Sequence, residues 1–139
     1  MKPNPDADNL QVITILHYVL AGIMGMFSLF PVFHVAMGIA LVAGAFPEPQ
    51  NGEPPPAFLG WIFILFPGSM MLAGFSMAAL VAYAGRSLQL RTRYMYCIVI
   101  AGIESMFMPI GTLLGVFTIV LLMKPNVREM FGVVSQETE

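Results

Sequence analysis

The feature that most constrains this chain is the length of its uncharged stretches. Residues 10–46 contain no Asp, Glu, Lys or Arg, and residues 57–84 contain none either. About 20 consecutive apolar residues suffice for a helix to cross the ~30 Å hydrocarbon core of a bilayer. The whole chain is 58% hydrophobic and 10% charged, whereas about a quarter of a soluble domain is charged. The stretches therefore predict an integral membrane protein that contacts the lipid bilayer.

Four apolar segments predict an all-α membrane bundle of four spans, within a single domain that covers residues 1–139. As one helix the first segment would be roughly 55 Å long, which exceeds a membrane span. Pro31 lies inside it and predicts a kink. The alternative is one span followed by a shorter re-entrant piece. The last two spans are short and form a hairpin. The predicted spans are about residues 10–46, 57–84, 93–107 and 111–124.

The basic residues predict the orientation. The loop at residues 47–56 has no Lys or Arg, whereas basic residues surround the second connection and follow the last span. By the positive-inside rule, we expect that connection and both termini to lie in the cytoplasm. An alternative rests on a faint repeat between residues 21–31 and 101–109, which would give five spans and an outside N-terminus. The basic residues used here are Arg86, Arg91, Arg93, Lys124 and Arg128.

Small residues recur at four-residue spacing along the predicted helices. In lipid, helices associate by close backbone packing, so such rows predict helix contacts. Four helices need few internal contacts, and the surplus predicts association with further copies or with other membrane proteins. The helix-packing residues predicted in this way are Ala21, Gly25, Gly74, Ala78, Gly111, Gly115 and Thr118.

Glu104 is the only acidic residue inside a predicted span. An ionisable side chain inside a membrane span indicates a function by default, here the handling of protons or cations. The structural alternative is local, because Glu104 precedes Pro109 by about one turn. In that interpretation the amides of Gly111 and Thr112, together with the positive end of the fourth helix, hold the carboxylate.

His17 and His34 are the only histidines, and both lie in the first predicted helix. Their spacing corresponds to roughly 25 Å along a helix axis, so they cannot ligate one metal or one haem together. Each would bind haem or another pigment only with a second ligand from elsewhere. The alternative is a hydrogen bond to a neighbouring backbone or hydroxyl group. His34 follows Pro31 by three residues and could satisfy a carbonyl that the proline frees.

No catalytic set of residues is recognisable, and no cofactor or metal site is predicted. Cys97 is the only cysteine, so cysteine pairs with metal-ligand spacing are absent. The net charge of −2 offers no basic surface and excludes the nucleic-acid-binding class.

The sequence of the last hairpin follows a recognisable pattern. Residues 107–118 read FMPIGTLLGVFT, and a Leu-Leu pair and a Lys-Pro-x-Val end follow them. This resembles a widespread uncharacterised family of small four-helix bacterial membrane proteins, whose last hairpin reads Pro-x-Gly-Thr-x-x-Gly-x-aromatic-Thr. Their first helix has an early His followed by small residues, as His17 to Gly25 does here. The family's arginine-Trp-Ala-Arg start of the third helix is Arg91-Thr-Arg93-Tyr in this chain. The resemblance implies a four-span inner-membrane protein and supplies no activity.

These observations favour a non-catalytic structural or accessory subunit that packs by its small-residue helix faces, in a homo-oligomer or a larger membrane complex. Two alternatives belong to other classes. One is a proton- or cation-linked carrier that uses Glu104. The other is a haem- or pigment-binding electron-transfer component that uses His17 or His34.

Overall fold

The computed structural model of the protein describes residues 5–46 and 56–133. All regular structure within these ranges is helical, which confirms the predicted all-α class. The loop at residues 47–55 and the outermost terminal residues, on which the predicted topology partly depends, lie outside the described residues. The helices are α1 Pro5–Ser28, α2 Val32–Val42, α3 Ala57–Gln89, α4 Tyr94–Glu104, α5 Ile110–Leu122 and α6 Pro125–Met130.

Two helical segments, Pro5–Val42 and Ala57–Gln89, are long and apolar enough to cross a membrane. In the most apolar window of each, only 17% of the residues are buried within the protein. An apolar helix that leaves most of its surface uncovered suits a lipid environment better than the core of a soluble domain. With 11 and 13 residues, α4 and α5 are only about 16 and 20 Å long. The described residues therefore provide two candidate spans and a short helical hairpin.

Pro31 interrupts the first apolar segment instead of only kinking it. Helix α1 ends at Ser28 and α2 begins at Val32. A proline has no N–H to donate four residues back, and its ring crowds that carbonyl. Here the Phe27 carbonyl accepts the N–H of Phe30 at 3.1 Å instead, which tightens the chain into a turn. The predicted single kinked helix is thus two helices.

The end of α2 is set by a glycine. Gly44 has φ +65°, in the left-handed region that favours glycine. Its N–H donates to the Leu41 carbonyl at 3.3 Å, and the N–H of Ala45 donates to the Ala40 carbonyl at 2.9 Å. This pair of bonds is the Schellman motif, which closes a helix C-terminus. The first segment therefore stops being helical before residue 46, which is the predicted end of the first span.

Helix α3 continues five residues past its predicted end and stops at Gln89. The chain then reverses through Arg91 and Arg93, which have φ values of +52° and +53°. Left-handed backbone is uncommon outside glycine and marks a constrained connection. The Arg93 guanidinium carbon lies 5.5 Å from the centre of the Tyr83 ring, and Tyr83 meets the edge of Tyr96 at 5.3 Å. These contacts fix the start of α4 against α3.

The chain forms two compact units whose boundaries fall inside α1 and α3. Unit 1 comprises Met1–Gly22 and Ala78–Glu139, and unit 2 comprises Ile23–Met77. Most of the buried apolar side chains of the described residues belong to unit 1. They include Leu10, Val81, Ala84, Leu88, Cys97, Leu122 and Val127.

Polar contacts join the ends of four helices, α1, α4, α5 and α6, at one end of unit 1. The Lys124 ammonium donates to Asp6 at 2.9 Å, and the Asn126 amide donates to the other Asp6 oxygen at 3.2 Å. Tyr94 donates its hydroxyl proton to the Leu122 carbonyl at 3.0 Å. Asp6 lies in the polar first turn of α1, ahead of the apolar run that begins at Leu10. The hydrogen bonds from Lys124 and then Asn126 hold the pKa of Asp6 below its usual value.

In unit 2, α2 and α3 contact each other at two glycines. A Cβ on Gly38 would lie 2.7 Å from the Gly60 carbonyl oxygen, and one on Gly60 would lie 3.0 Å from the Gly38 carbonyl oxygen. The backbones of α2 and α3 therefore touch. Neither glycine was predicted as a packing residue, because neither has a second small residue four positions away.

Candidate functional site

The site begins with the α4–α5 hairpin, in which two predicted packing glycines hold the helices together. A Cβ on Gly111 would collide with the Glu104 carbonyl oxygen. A Cβ on Gly115 would collide with the Ala101 carbonyl oxygen and lie 2.8 Å from the Ser105 amide nitrogen. Only glycine allows backbones to approach this closely. The third predicted residue, Thr118, is buried on the same helix and donates its hydroxyl proton to the Leu114 carbonyl at 2.7 Å.

Hydrogen bonds across the tip of the hairpin fix the end of α4, where Glu104 lies. The N–H of Phe107 donates to the Glu104 carbonyl at 2.9 Å. Thr112 donates its hydroxyl proton to the Ser105 carbonyl at 2.8 Å, which ties the start of α5 to the end of α4. The backbone that carries Glu104 is therefore held from both sides of the turn.

On the other side of the site, His17 projects from α1 toward a glycine of α3. A Cβ on Gly85 would lie 3.2 Å from the Cβ of His17 and 3.5 Å from the Thr14 carbonyl oxygen. Gly85 thus leaves the room that the imidazole side chain needs. Gly85 was not predicted as a site residue, because the second predicted helix ended at residue 84. Once α3 is continued to Gln89, Gly85 shares a buried face with Ala78 and Val81.

His17 and Glu104 meet in the interior of unit 1. The Nε2 atom of His17 lies 3.2 Å from Oε2 of Glu104, and the two side chains are 0% and 1% exposed. Nδ1 of His17 lies 2.9 Å from the Ile13 carbonyl oxygen. Since a carbonyl only accepts, Nδ1 carries a proton. In the neutral imidazole Nε2 is therefore the nitrogen without a proton, and it faces the carboxylate.

The polar atoms of His17 and Glu104 that face each other can still form further hydrogen bonds. The 3.2 Å contact is not aligned as a hydrogen bond, and neither Nε2 nor either carboxylate oxygen has a hydrogen-bond partner among the described residues. The structural interpretation of Glu104 is wrong in this respect, because no amide of the fourth predicted helix holds its carboxylate. The Thr112 amide donates to the Phe107 carbonyl at 3.2 Å instead. Buried polar atoms without partners are costly, and native structures keep few of them.

His34, the second histidine, lies in unit 2 and is exposed. Its ring centre is 6.3 Å from those of Phe30 and Phe63, and the Phe63 ring is stacked. The structure therefore brings only one of the two predicted histidines to Glu104.

The other predicted packing residues fall in different surroundings. Ala21 and Ala78 are buried in unit 1. Gly74 lies against the hydroxyl of Ser28 in unit 2, where a Cβ would collide with that oxygen. Gly25 has no atom within 4 Å of where a Cβ would stand. Gly25 therefore makes no close packing contact within the described residues.

The residues at the site suit a proton better than a metal. The described residues hold no group of three or more His, Cys, Asp or Glu side chains that could bind a metal ion. His17 and Glu104 supply two ligands, whereas protein zinc sites use three or four. A haem iron would need the Nε2 that faces Glu104, inside a space where both side chains are almost fully covered.

Comparisons with protein-family models, with curated proteins and with solved structures find no match for this chain. Function is therefore inferred from the His17–Glu104 pair and its surroundings.

Proposed function

We propose that this chain is an integral membrane protein that works as a proton-linked carrier, with the His17–Glu104 pair as its proton-binding site. The observation that carries the proposal is the 3.2 Å contact between two ionisable side chains that are almost fully buried. Ionisable groups inside membrane segments are rare because they are costly, and chains of Asp, Glu and His relay protons in pumps and transporters.

The depth of the pair supports this assignment. Glu104 follows Tyr94 by ten residues, which is about 15 Å along α4, or half of a ~30 Å hydrocarbon core. In the proposed arrangement, the Asp6–Lys124 end of unit 1 lies at the cytoplasmic surface of a bacterial inner membrane. The hairpin enters from that surface and returns to it, so both termini are cytoplasmic. The basic residues of the second connection and of the C-terminal segment favour this orientation.

The chemistry of the pair favours a proton as its ligand. With Nδ1 protonated against Ile13, the Nε2–Oε2 contact holds zero, one or two further protons, and the pair then carries a charge of −1, 0 or +1. The one-proton state has no net charge and is the least costly to bury. Each change in proton number alters the net charge in a medium of low dielectric constant. Metal cations such as Ca²⁺ take six to eight oxygen ligands, and the pair offers two oxygens.

A pH jump on a solid-supported membrane tests the proposal without knowledge of the transported solute. Proton binding at a buried site displaces charge, and the wild type should give a transient current. Glu104→Gln and His17→Gln should abolish this current. Ser105→Ala and His34→Gln serve as matched controls, since neither changes the pair, and both should retain it. A wild type without a transient, or a Glu104→Gln variant with an undiminished one, would contradict the assignment.

A second candidate function, the accessory subunit, is favoured by the glycines that no part of the described chain covers. Gly22 and Gly102 in unit 1 have no atom within 4 Å of where a Cβ would stand, and neither do Gly25 and Gly68 in unit 2. Open glycine surfaces on apolar helices allow close packing of another helix. The two proposals are compatible, because a proton-binding subunit can also assemble with other chains.

Chemical cross-linking in native membranes tests this second proposal. Gly102→Leu should remove the oligomer that wild type forms. The control, Val99→Leu, replaces an exposed apolar side chain on the same helix and should preserve it. A monomeric wild type, or equal cross-linking of both variants, would remove the support for assembly through α4.

A further inference from the structure

We propose that a groove between α1 and the C-terminal end of α3 binds an aminophospholipid of the phosphatidylethanolamine class. The ligand chemistry is a phosphodiester next to a primary ammonium group, with an acyl chain attached. Like the proposed function, this proposal requires that the protein lies in a membrane. It does not depend on proton binding at His17 and Glu104. All residues that line the groove belong to unit 1.

The groove has a size and a lining that suit such a ligand. Its volume is about 500 Å³, within the range of roughly 300–1,000 Å³ that small-molecule sites occupy. Leu10 and Leu88, which are 3% and 0% exposed, form an apolar floor. Asp8, Gln89 and Arg91 line the same groove and supply polar groups.

Opposite charges share this groove without neutralising each other. Among the described residues, neither Asp8 nor Arg91 forms a salt bridge or a side-chain hydrogen bond. Two other charged sites of unit 1 do have partners, since Asp6 pairs with Lys124 and Arg93 lies over the Tyr83 ring. A zwitterionic headgroup satisfies both charges of the groove at once.

Each polar side chain has a matching group on the ligand. The planar Arg91 guanidinium suits a phosphate, which it binds through two parallel hydrogen bonds. Gln89 accepts the Tyr18 hydroxyl proton at 3.4 Å through its carbonyl oxygen, which leaves its amide N–H groups for the same phosphate. The Asp8 carboxylate can accept N–H donors from a primary ammonium. A choline headgroup has no N–H to donate, and a glycerol headgroup has no positive charge.

The apolar lining favours a lipid over a free phosphate compound. Ile15 and Tyr18 continue the lining along α1 and are 54% and 42% exposed. In the proposed orientation they lie on the hydrocarbon side of Asp8, since Tyr18 follows Asp8 by ten residues, or about 15 Å along α1. An acyl chain would lie along this exposed surface, which a soluble headgroup compound could not cover.

Native mass spectrometry of the full chain from nanodiscs tests the assignment. The nanodiscs would contain equal amounts of phosphatidylethanolamine, phosphatidylglycerol and phosphatidylcholine with identical acyl chains. Because the ethanolamine headgroup can donate charge-assisted hydrogen bonds to Asp8 and the choline headgroup cannot, wild type should retain the ethanolamine lipid about tenfold over the choline lipid. Asp8→Asn should remove this preference, and Arg91→Gln should reduce retention of all three lipids. Arg86→Gln, an exposed arginine of α3 that does not line the groove, should behave as wild type.

Equal retention of the three lipids by wild type, or an unchanged preference in Asp8→Asn, would overturn the assignment. Excess glycerophosphoethanolamine should fail to displace the lipid, and displacement would overturn the commitment to a lipid over a free headgroup compound. An alkaline carbonate wash distinguishes a failure of the lipid site from a failure of the proposed proton-linked function. Protein released by the wash would contradict the shared membrane setting. Protein retained in the membrane without lipid preference would remove the lipid site alone and leave the proton-binding pair standing.

Discussion

Glycine contacts bring helices together in both units, but the two units differ in which side chains they bury. Gly38 meets Gly60 in unit 2, and Gly115 meets Ala101 in unit 1, in each case with backbone against backbone. Only unit 1 also encloses ionisable side chains among the described residues. Glycine contacts are therefore a general means of helix packing in this chain, and they do not by themselves mark a functional site.

The two histidines show what produces the difference. His17 is buried because Gly85 leaves space for its side chain and Glu104 faces its Nε2. His34 has two phenylalanine rings beside it, no acidic neighbour at hydrogen-bond distance among the described residues, and an exposed side chain. The residue type and the apolar run are the same, so the surroundings from other helices decide the role of each histidine.

The largest effect should come from breaking the hairpin of unit 1. Gly115→Leu inserts a side chain where even a Cβ collides with the Ala101 carbonyl oxygen. We expect a loss of about 3 kcal/mol in the free energy of unfolding, at the upper end of the cost of overpacking. Val116→Leu, at an exposed neighbouring position, is the control. Unfolding by SDS in mixed micelles measures both. Equal stability of the two variants would mean that the hairpin contact does not hold unit 1 together.

The comparison of the histidines is tested by truncating each one. His17→Ala removes a buried side chain, leaves a cavity beside the Glu104 carboxyl group and should cost about 2 kcal/mol in the free energy of unfolding. His34→Ala removes an exposed side chain and should change it by no more than about 0.5 kcal/mol. The same SDS titration compares them. A larger loss for His34→Ala would reverse our interpretation of the two units.

A smaller effect should follow from filling the space beside His17. A Cβ on Gly85 would lie 3.2 Å from the His17 Cβ, closer than most such contacts, so the imidazole or α1 must shift slightly. We expect Gly85→Ala to lower the free energy of unfolding by about 1 kcal/mol and to weaken the pH-jump current. Gly22→Ala, which has open space around it, is the matched control on α1. A Gly85→Ala variant that keeps both properties would show that the space beside His17 is not needed.

The smallest effect should involve Asp6, whose pKa is lowered by hydrogen bonds from Lys124 and Asn126. A carboxyl group whose pKa is lower in the folded state stabilises that state above its unfolded-state pKa of about 4, and the contribution disappears as the pH falls through the folded-state pKa. Asp6→Asn should therefore be slightly less stable than wild type at pH 7, and the two should converge in acid. A difference that grew on acidification would have the wrong sign.

Much of this arrangement could be predicted from sequence. Uncharged stretches predicted the helical class, and the four-residue spacing of Gly111 and Gly115 predicted the hairpin contact. Glu104 and His17 were each singled out because ionisable residues are rare in such stretches. Their pairing was not predicted, since residue spacing within one helix does not determine which face meets another helix.

Two errors in helix ends hid the rest of the site. Ending the second predicted helix at residue 84 assigned Gly85 to a connection, although α3 continues through it. Extending the third predicted helix to residue 107 placed Glu104 inside that helix and not at its last residue. Helix α4 stops at Glu104 because the chain turns there toward Pro109, and the side chain is 1% exposed.

We infer that the His17–Glu104 pair binds an exchangeable proton inside the protein. Infrared difference spectroscopy of the protein in lipid membranes tests it directly, through the C=O stretching band of a protonated carboxyl group. We predict a carboxyl band that changes in amplitude with pH, shifts in His17→Gln and disappears in Glu104→Gln, while Asp6→Asn retains it. A wild-type spectrum without a pH-dependent band, or a band that survives in Glu104→Gln, would contradict the claim.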